Sequence, residues 1–314
     1  MDVLTFGETM IALRADRPLA MNPNISATIA GAESNVATAL ARLGHDVQWA
    51  GRVGDDSGGE LIRRTLRAES VGQDHVTTDP GRQTGILIFE QRLPDVTRVG
   101  YYRQNSAGSA LTIDDLAPAL AGNPHILHIT GITSALGASA AEAVLKAASA
   151  AQGEGATVTL DVNYRAKLWS REEAAAALRA LIPFVDVIIG SPDEVGLLIE
   201  DRAAAPADSA SALLSLGVRE VVLKLGADGA TLHGRHGLVH SPARPATAVD
   251  SVGAGDAFTA GYISGLLTGL SAKERLYLAN TLGAFAVSSR GDWEGLPTRS
   301  ELALLDAGNG TALR

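Results

Sequence analysis

The ten residues Val249-Asp250-Ser251-Val252-Gly253-Ala254-Gly255-Asp256-Ala257-Phe258 combine three consecutive small residues with the start of an apolar run. Small residues let the backbone approach a bound group closely, and the apolar run predicts a helix. The first turn of a helix has unpaired amides and the positive end of the helix dipole. Gly253, Ala254 and Gly255 therefore predict an anion site that suits a phosphate.

Asp256 stands at the mouth of the same predicted helix. A carboxylate beside a bound phosphate would repel it, so Asp256 is expected to have a role other than binding the phosphate. In phosphoryl transfer, an aspartate can orient an attacking hydroxyl and accept its proton. A glycine-rich turn capped by an aspartate is the alternative interpretation of so short a string.

The composition indicates a globular protein that binds small molecules. Of the 314 residues, 46% are hydrophobic and 19% charged, which is typical of a folded domain. The net charge of −9 argues against a nucleic-acid partner, because phosphate-backbone binding needs a concentrated basic surface. No apolar stretch approaches the roughly 18 residues of a membrane span, and the first residues lack a basic signal region. With no cysteine in the chain, we expect a cytoplasmic protein without disulfides or membrane contact.

Strand-like and helix-like segments alternate along most of the chain, which predicts a mostly parallel sheet covered by helices. Two regions differ from this pattern. Residues 11–29 contain short alternating pieces without a helical period, and residues 84–89 and 100–103 alternate like a hairpin, with Leu93-Pro94-Asp95 as its turn. Together these regions predict a small separate sheet that could close over a substrate and exclude water.

The string Asp-Ser-x-Gly-Ala-Gly-Asp-x-Phe at residues 250–258 resembles the signature of the ribokinase-like (PfkB-type) carbohydrate kinases. The resemblance extends from about residue 7 to residue 297. It implies a three-layer α/β sandwich with a central, mostly parallel sheet and a small β-sheet lid. We therefore expect one domain over residues 1–314, with lid segments at about 10–30 and 84–108. An exposed apolar lid face would favour a homo-oligomer that forms through the lid.

The same resemblance implies the parts of a kinase site. Asp256 would be the catalytic base, and the amides of Gly253, Ala254 and Gly255 would form the anion hole. ATP and Mg²⁺ would be required, and some members also hold a monovalent cation such as K⁺ near Asp250 and Val252.

Two further strings resemble the branch of this family that phosphorylates 2-keto-3-deoxygluconate. They are Tyr101-Tyr102-Arg103-Gln104-Asn105-Ser106-Ala107 and the pattern Asp-x-Asn-x-Arg-x-x-Leu-Trp at residues 161–169. By this analogy Arg103 and Arg165 converge on a sugar carboxylate. A guanidinium can donate two hydrogen bonds to a carboxylate, each contributing about 1.5–3 kcal/mol. The resemblance places the substrate against Gly31, Asn35, Phe89, Tyr101, Arg103, Arg165, Asp256 and Asp292.

The nucleotide site implied by the resemblance includes the strand and glycine loop around Lys224. Its members would be Asn163, Ser191, Lys224, Gly226, Ala227, Gly229, Gly253, Gly255 and Asn280. Family members usually have Asn where this chain has Ser191, in a string associated with Mg²⁺, so only Glu194 is carried over as a metal residue that acts through water. An ordinary first-turn helix charge is the alternative role for Glu194.

The sequence thus favours ATP-dependent phosphorylation of 2-keto-3-deoxygluconate, or of its galactonate epimer, at the 6-position. A fructokinase or another neutral-sugar kinase of the same fold is the nearest alternative. It predicts that Arg103 and Arg165 point to solvent or to protein carboxylates. A catalytically silent sugar- or nucleotide-binding regulator is a third interpretation, against which the complete Gly-Ala-Gly-Asp string argues.

Overall fold

The computed structural model describes residues 1–93, 96–200, 205–235 and 237–306, which form two separate sheets with helices around the larger one. The strands are β1 (Val3–Phe6), β2 (Met10–Ala15), β3 (Ile25–Ala30), β4 (Val47–Gly54), β5 (Val76–Asp79), β6 (Ile86–Leu93), β7 (Val96–Tyr102), β8 (Ile126–Thr130), β9 (Thr157–Asp161), β10 (Val187–Gly190), β11 (Glu220–Lys224), β12 (Ala230–Gly234) and β13 (Gly237–Ser241).

The larger sheet has the strand order β13-β12-β11-β10-β9-β8-β1-β4-β5. Its strands from β11 to β5 pair in parallel, whereas β12 and β13 add an antiparallel edge. Inner strands such as β1 are buried over their whole length, which explains why they read as continuous apolar runs instead of alternating patterns. The predicted mostly parallel sheet is confirmed, although the sequence analysis did not predict β13.

Helices cover both faces of this sheet. They are α1 (Ala32–Arg42), α2 (Ser57–Ala68), α3 (Ile113–Leu120), α4 (Gly131–Ser134), α5 (Ala138–Gly153), α6 (Arg171–Arg179), α7 (Pro192–Val195), α8 (Pro206–Ser215), α9 (Ala254–Leu267) and α10 (Ala272–Val287). Successive side chains of a strand point to opposite faces, so Leu4 joins the core with α3, α5, α6 and α8, and Val3 joins the core with α1, α2, α9 and α10. The predicted three-layer α/β sandwich is therefore confirmed.

The second sheet, which we call the small sheet, has the order β3-β2-β6-β7. It consists of two antiparallel hairpins, β2–β3 and β6–β7, joined by parallel pairing of β2 with β6. This confirms that residues 11–29 leave the main sheet and that β6 and β7 pair as a hairpin. The predicted turn includes residues 94 and 95, which lie outside the described residues. The assignment of all 314 residues to one domain stays a prediction.

None of the described helices combines the length and the apolar character needed to cross a lipid bilayer.

Candidate active site

A cavity of about 770 Å³ lies between the small sheet and the carboxyl ends of the central strands. The second residue after each of β1, β8 and β9 lines its wall, namely Glu8, Ile132 and Asn163, and β11 contributes its last residue, Lys224. Ligands of open α/β sheets collect at this edge of the sheet. The predicted site residues that line the cavity are Gly31, Asn35, Phe89, Tyr101, Arg103, Asn163, Arg165, Glu194, Lys224, Gly253, Gly255, Asp256 and Asp292.

The amino end of α9 opens onto this cavity. Gly253 is the N-cap residue with a left-handed backbone (φ 76°), and no side chain caps the helix. The next residue, Ala254, begins the helix, so the first-turn amides lack intrahelical acceptors. The helix start predicted from the sequence is confirmed, and its geometry suits an anion.

Gly253 also meets the backbone of a distant segment. A Cβ atom at this position would lie 2.0 Å from the carbonyl oxygen of Asp292 and 3.1 Å from its Cα. The close approach and the positive φ both require glycine here. The start of α9 is therefore fitted against the chain at Asp292.

Asp256 lies in the first turn of α9 and is buried. Two amide side chains hold its carboxylate: Asn35 Nδ2 donates to Oδ2 at 2.8 Å, and Asn163 Nδ2 donates to Oδ1 at 3.4 Å. Burial raises the pKa of Asp256 to about 7, while the hydrogen bond from Asn35 opposes this increase. A carboxylate with a pKa near neutrality is suited to act as a general base.

The two asparagines also offer free acceptors. Asn35 Oδ1 and Asn163 Oδ1 are buried and have no hydrogen-bond partner within the described part of the chain. Buried polar atoms are normally hydrogen-bonded, so unpaired carbonyl oxygens beside a base are suited to accept bonds from the hydroxyl groups of a ligand.

Lys224 and Asp161 form an ion pair below the amino end of α9. Lys224 Nζ lies 2.9 Å from both carboxylate oxygens of Asp161, and Thr259 Oγ1 donates to the same carboxylate at 2.7 Å. Burial alone would lower the pKa of Lys224, but the charges of Asp161, Glu194 and Asp256 outweigh it, so the pKa is raised and the lysine stays charged. Lys224 therefore supplies fixed positive charge next to Gly255, where a Cβ atom would lie 3.5 Å from Nζ.

Several residues predicted to bind the nucleotide lie outside this cavity. Two of them meet at residues 241–243: Asn280 Nδ2 donates to the carbonyls of Ser241 and Pro242 at 3.1 Å each, and a Cβ atom on Gly229 would lie 2.2 Å from the Ser241 carbonyl. Gly226 begins the turn that leads to Gly229. The cavity is not lined by Ser191, Gly226, Ala227, Gly229 or Asn280.

Ser191 and Glu194 form a capping box at the start of α7. Glu194 Oε2 accepts the Ser191 amide at 2.7 Å and its Oε1 accepts the Tyr164 amide at 3.0 Å. This fits the alternative interpretation of Glu194 as a first-turn helix charge. Within the described ranges no three His, Asp or Glu side chains gather as a set of metal ligands.

The two arginines expected to converge on a carboxylate have different surroundings. Arg103 Nε donates to Glu8 Oε2 at 2.7 Å, and its Nη2 forms an ion pair with the same oxygen. Glu8 is 2% exposed, and its other oxygen accepts a hydrogen bond from Ser106. Arg165 donates to the carbonyl of Tyr164 at 3.1 Å and has no carboxylate partner among the described residues. Arg103 therefore points to a protein carboxylate, as the neutral-sugar alternative predicts, whereas Arg165 is solvent-exposed and also lines the cavity.

Asp292 forms an ion pair with Arg14 of β2, a residue that the sequence analysis did not identify. Burial raises the pKa of Asp292 to about 6, and Arg14 opposes this increase. The carboxylate is thus engaged by the protein, and its contact with a substrate stays a prediction. Arg14 also lies 4.1 Å above the centre of the Phe89 ring.

Glu8 is the second residue that was missed. It lies two residues after the end of β1, at the carboxyl edge of the sheet, a position from which it could have been proposed as a site residue. Arg14 lies in an alternating strand and carries no such signal.

Comparison with known proteins relates this site to a family. The family model described as pfkB family carbohydrate kinase matches residues 1–299. The 2-dehydro-3-deoxygluconokinase of Thermoproteus tenax is 36% identical over 307 residues, which cover 95% of this chain and 92% of the relative. The 2-dehydro-3-deoxygalactonokinase of Haloferax volcanii is 31% identical over 295 residues, covering 93% and 92%.

Solved structures agree with the architecture. A putative ribokinase II from E. coli, in complex with ATP and Mg²⁺, is 26% identical with a TM-score of 0.90 and covers 97% of this chain and 98% of its own. The 2-dehydro-3-deoxygluconokinase of Thermotoga maritima is 27% identical with a TM-score of 0.87 and covers 98% of both chains.

The pKa of Asp256 leads to a prediction about pH. If Asp256 accepts the proton, kcat/KM for sugar phosphorylation should fall as the pH drops below about 7, because the protonated carboxyl cannot act as a base. The Asn35 hydrogen bond favours the charged form, so Asn35→Ala should move the inflection to higher pH. Steady-state rates at a series of pH values measure this, with Asp256→Asn as the inactive control. A profile without an inflection, or a shift of Asn35→Ala to lower pH, would contradict it.

The contact between Gly253 and Asp292 leads to a second prediction. In Gly253→Ala the new methyl group would overlap the Asp292 carbonyl, so the start of α9 must move. We expect kcat to fall by about 100-fold, as displacements of about 1 Å can cause. Gly196→Ala is the control, because its methyl group would meet no atom within 4 Å. Similar rates for the two variants would show that the contact does not position the helix.

Proposed function

The chain belongs to the pfkB family of carbohydrate kinases, and from this premise we propose that it uses ATP to phosphorylate 2-keto-3-deoxygluconate at the 6-hydroxyl. The galactonate epimer is included in the proposal. The relatives named 2-dehydro-3-deoxygluconokinase and 2-dehydro-3-deoxygalactonokinase support an acid sugar as the substrate.

Arg165 is the observation that carries the choice of an acid sugar. Its guanidinium lines the cavity without a carboxylate partner among the described residues, and its charge reaches Asp256, whose pKa it lowers against the larger effect of burial. A sugar carboxylate would supply the missing anion and accept two hydrogen bonds from one guanidinium. Arg103, already paired with Glu8, would then contribute directed donors with little net charge.

The proposed reaction forms a bond between the sugar oxygen and the γ-phosphorus and breaks the bond from that phosphorus to the bridging oxygen of ADP. Asp256 accepts the proton of the attacking hydroxyl. The first-turn amides of α9 and the charge of Lys224 stabilise the phosphoryl group during transfer. Asn35 and Asn163 would orient the sugar by accepting hydrogen bonds from its hydroxyl groups.

The metal requirement is part of the proposal. Mg²⁺ would neutralise charge on the phosphates and would take most of its ligands from them and from water, with Glu194 as the candidate residue on the protein. Dependence on a monovalent cation stays a prediction, as does a cytoplasmic location. The positive charge of Arg14 already lies 3.8 Å from Asp250 Oδ2 in the region expected for such a cation.

The small sheet would serve as a lid. It forms the cavity wall opposite the strand ends through residues such as Leu87, Val99 and Tyr101. A wall of this kind excludes water, which would otherwise compete with the sugar as the acceptor of the phosphoryl group.

A neutral-sugar kinase is the second candidate, and the ion pair between Arg103 and Glu8 favours it. Because that pair is buried and contributes no net charge, one of the two expected carboxylate ligands is already satisfied by the protein. A fructokinase would need no free cation in the cavity, and Arg165 would then be a solvent-exposed charge without a role in binding the sugar.

A panel of acid and neutral sugars distinguishes the two candidates. We expect turnover of 2-keto-3-deoxygluconate to exceed that of fructose, and Arg165→Ala to lower kcat/KM for the acid sugar by at least about 100-fold, near the lower limit of what two charge-assisted hydrogen bonds contribute. Turnover of neutral sugars should change little. Arg171→Ala is the matched control, since Arg171 pairs with Asp193 on the surface. Equal or faster phosphorylation of fructose, with Arg165→Ala indifferent, would support the neutral-sugar candidate.

We also propose that the protein forms a homo-oligomer through the small sheet. Tyr102 is 64% exposed and Val96 50%, and both lie on the face of β7 opposite Tyr101, which faces the cavity. Tyr102→Lys should shift the protein toward the monomer in light scattering, because a charge would be buried in the interface. Leu238→Lys, exposed on β13, should leave the mass unchanged. A monomeric parent protein would contradict the proposal.

A further inference from the structure

Arg14 reaches from the small sheet to the main body of the protein. Its Nη2 donates to Asp292, 278 residues away, and its Nη1 lies 3.8 Å from Asp250 Oδ2. The guanidinium carbon also lies 4.1 Å from the centre of the Phe89 ring on the neighbouring strand, which helps to hold the arginine in place. The side chains of Arg14 and Asp292 are only 20% and 10% exposed. A pair this shielded is weakened little by salt and fixes the distance between the two segments.

The next two residues after Asp292 also contact the small sheet. Trp293 Nε1 donates to the carbonyl of Ile29 at 3.0 Å, and Thr28 Oγ1 donates to Glu294 Oε1 at 2.9 Å. Strands β2 and β3 therefore hold residues 292–294 at three points. Arg42 of α1 also donates to the carbonyls of Trp293 and Glu294 at 3.3 Å each, so the segment joins the small sheet to the main body, and movement of the small sheet alone would break the three contacts.

The same segment limits where α9 can begin. The Asp292 carbonyl lies so close to Gly253 that even one added methyl group would not fit between them. A displacement of Asp292 away from the cavity would remove the surface against which the left-handed turn at Gly253 rests. The amides that follow this turn are the ones available to a transferring phosphoryl group.

We propose that Arg14 is a positioning residue that links closure of the small sheet to the anion hole at the start of α9, through Asp292 and Gly253. Arg14 touches neither the sugar nor ATP in this proposal. When the small sheet covers the cavity, the ion pair places Asp292 against Gly253 and so sets the amides of the first turn. When the sheet moves away, the pair is broken and the anion hole loses its support, which limits transfer to water.

Electrostatics explains why the link depends on the ion pair. If Arg14 were removed and nothing else changed, the Asp292 carboxylate would be buried and unpaired near Asp250 and Glu294, both of which disfavour its charged form. Removal of one partner of a shielded pair leaves an unpaired charge, which is relieved by protonation of Asp292 or by movement of its segment toward water. Either change removes the ion pair that holds Asp292 beside Gly253.

Kinetics of Arg14→Ala test the proposal with the sugar that the parent protein turns over best, so the outcome does not depend on which sugar that is. We expect kcat to fall by about 10-fold to about 100-fold, while the KM values for sugar and ATP stay within about threefold. Arg14→Lys keeps the positive charge but loses the two donors of the guanidinium, so its kcat should lie between that of the parent and that of Arg14→Ala. Guanidinium chloride at millimolar concentration should restore part of the rate of Arg14→Ala but none of the rate of Asp292→Asn.

A binding measurement separates positioning from a general loss of structure. ADP with aluminium fluoride mimics the planar phosphoryl group during transfer. Calorimetry should show that the increase in ADP affinity caused by aluminium fluoride is smaller by about 10-fold or more in Arg14→Ala than in the parent. The affinity for ADP alone should equal that of the parent. Arg17→Ala is the matched control, because Arg17 pairs with its neighbour Asp16 within the small-sheet segment. It should equal the parent in both measurements.

Three results would overturn the inference. Unchanged kcat in Arg14→Ala would show that the link does not exist. A raised KM for the sugar with unchanged kcat would make Arg14 a substrate-binding residue. Weakened binding of ADP itself, without rescue by guanidinium, would indicate a structural role only. If Arg14→Ala does not fold, the same comparison is made with Arg14→Lys and Asp292→Asn.

Discussion

One electrostatic constraint governs this structure: a buried carboxylate shares the amino end of α9 with a site that suits a phosphate. Asp256 can hold this position only because amide groups from two other elements support it, Asn35 from α1 and Asn163 from the residues after β9. β11 contributes Lys224, whose ammonium group is paired with Asp161. Four elements must therefore converge at one edge of the sheet, and the parallel strand order brings them there.

The cavity shows how an acidic protein can bind anionic ligands. The chain has a net charge of −9, yet three buried or half-buried cations near the cavity are each matched by a named carboxylate: Lys224 by Asp161, Arg103 by Glu8 and Arg14 by Asp292. Buried charges need such partners, because an unpaired charge away from water is costly. Arg165 is exposed and has no carboxylate partner among the described residues, and an unpaired cation costs little in contact with water.

The sequence was sufficient to predict features that depend on local pattern. The start of α9 at the Gly-Ala-Gly-Asp string, the parallel sheet and the separate small sheet follow from residue spacing and turn chemistry. It could not identify the partners of Arg103 and Asp292, because Glu8 and Arg14 lie 95 and 278 residues away along the chain. Nor could it show that Asn280 holds the segment at Ser241 by two backbone carbonyls. Such contacts are set by how helices and strands pack, which the local pattern does not encode.

The pairing of β2 with β6 has a consequence for how the chain folds. Each hairpin of the small sheet is local and can form early, but the two hairpins join only through partners as far apart as Ile11 and Ile86. Between them lie α1, β4, α2 and β5, which belong to the main body. Since pairings distant in sequence form late, the hairpins should assemble on a core that already exists. Until then β2 and β6 each present an unpaired edge, so the nascent chain is most prone to aggregate at the step just before its binding cavity is complete.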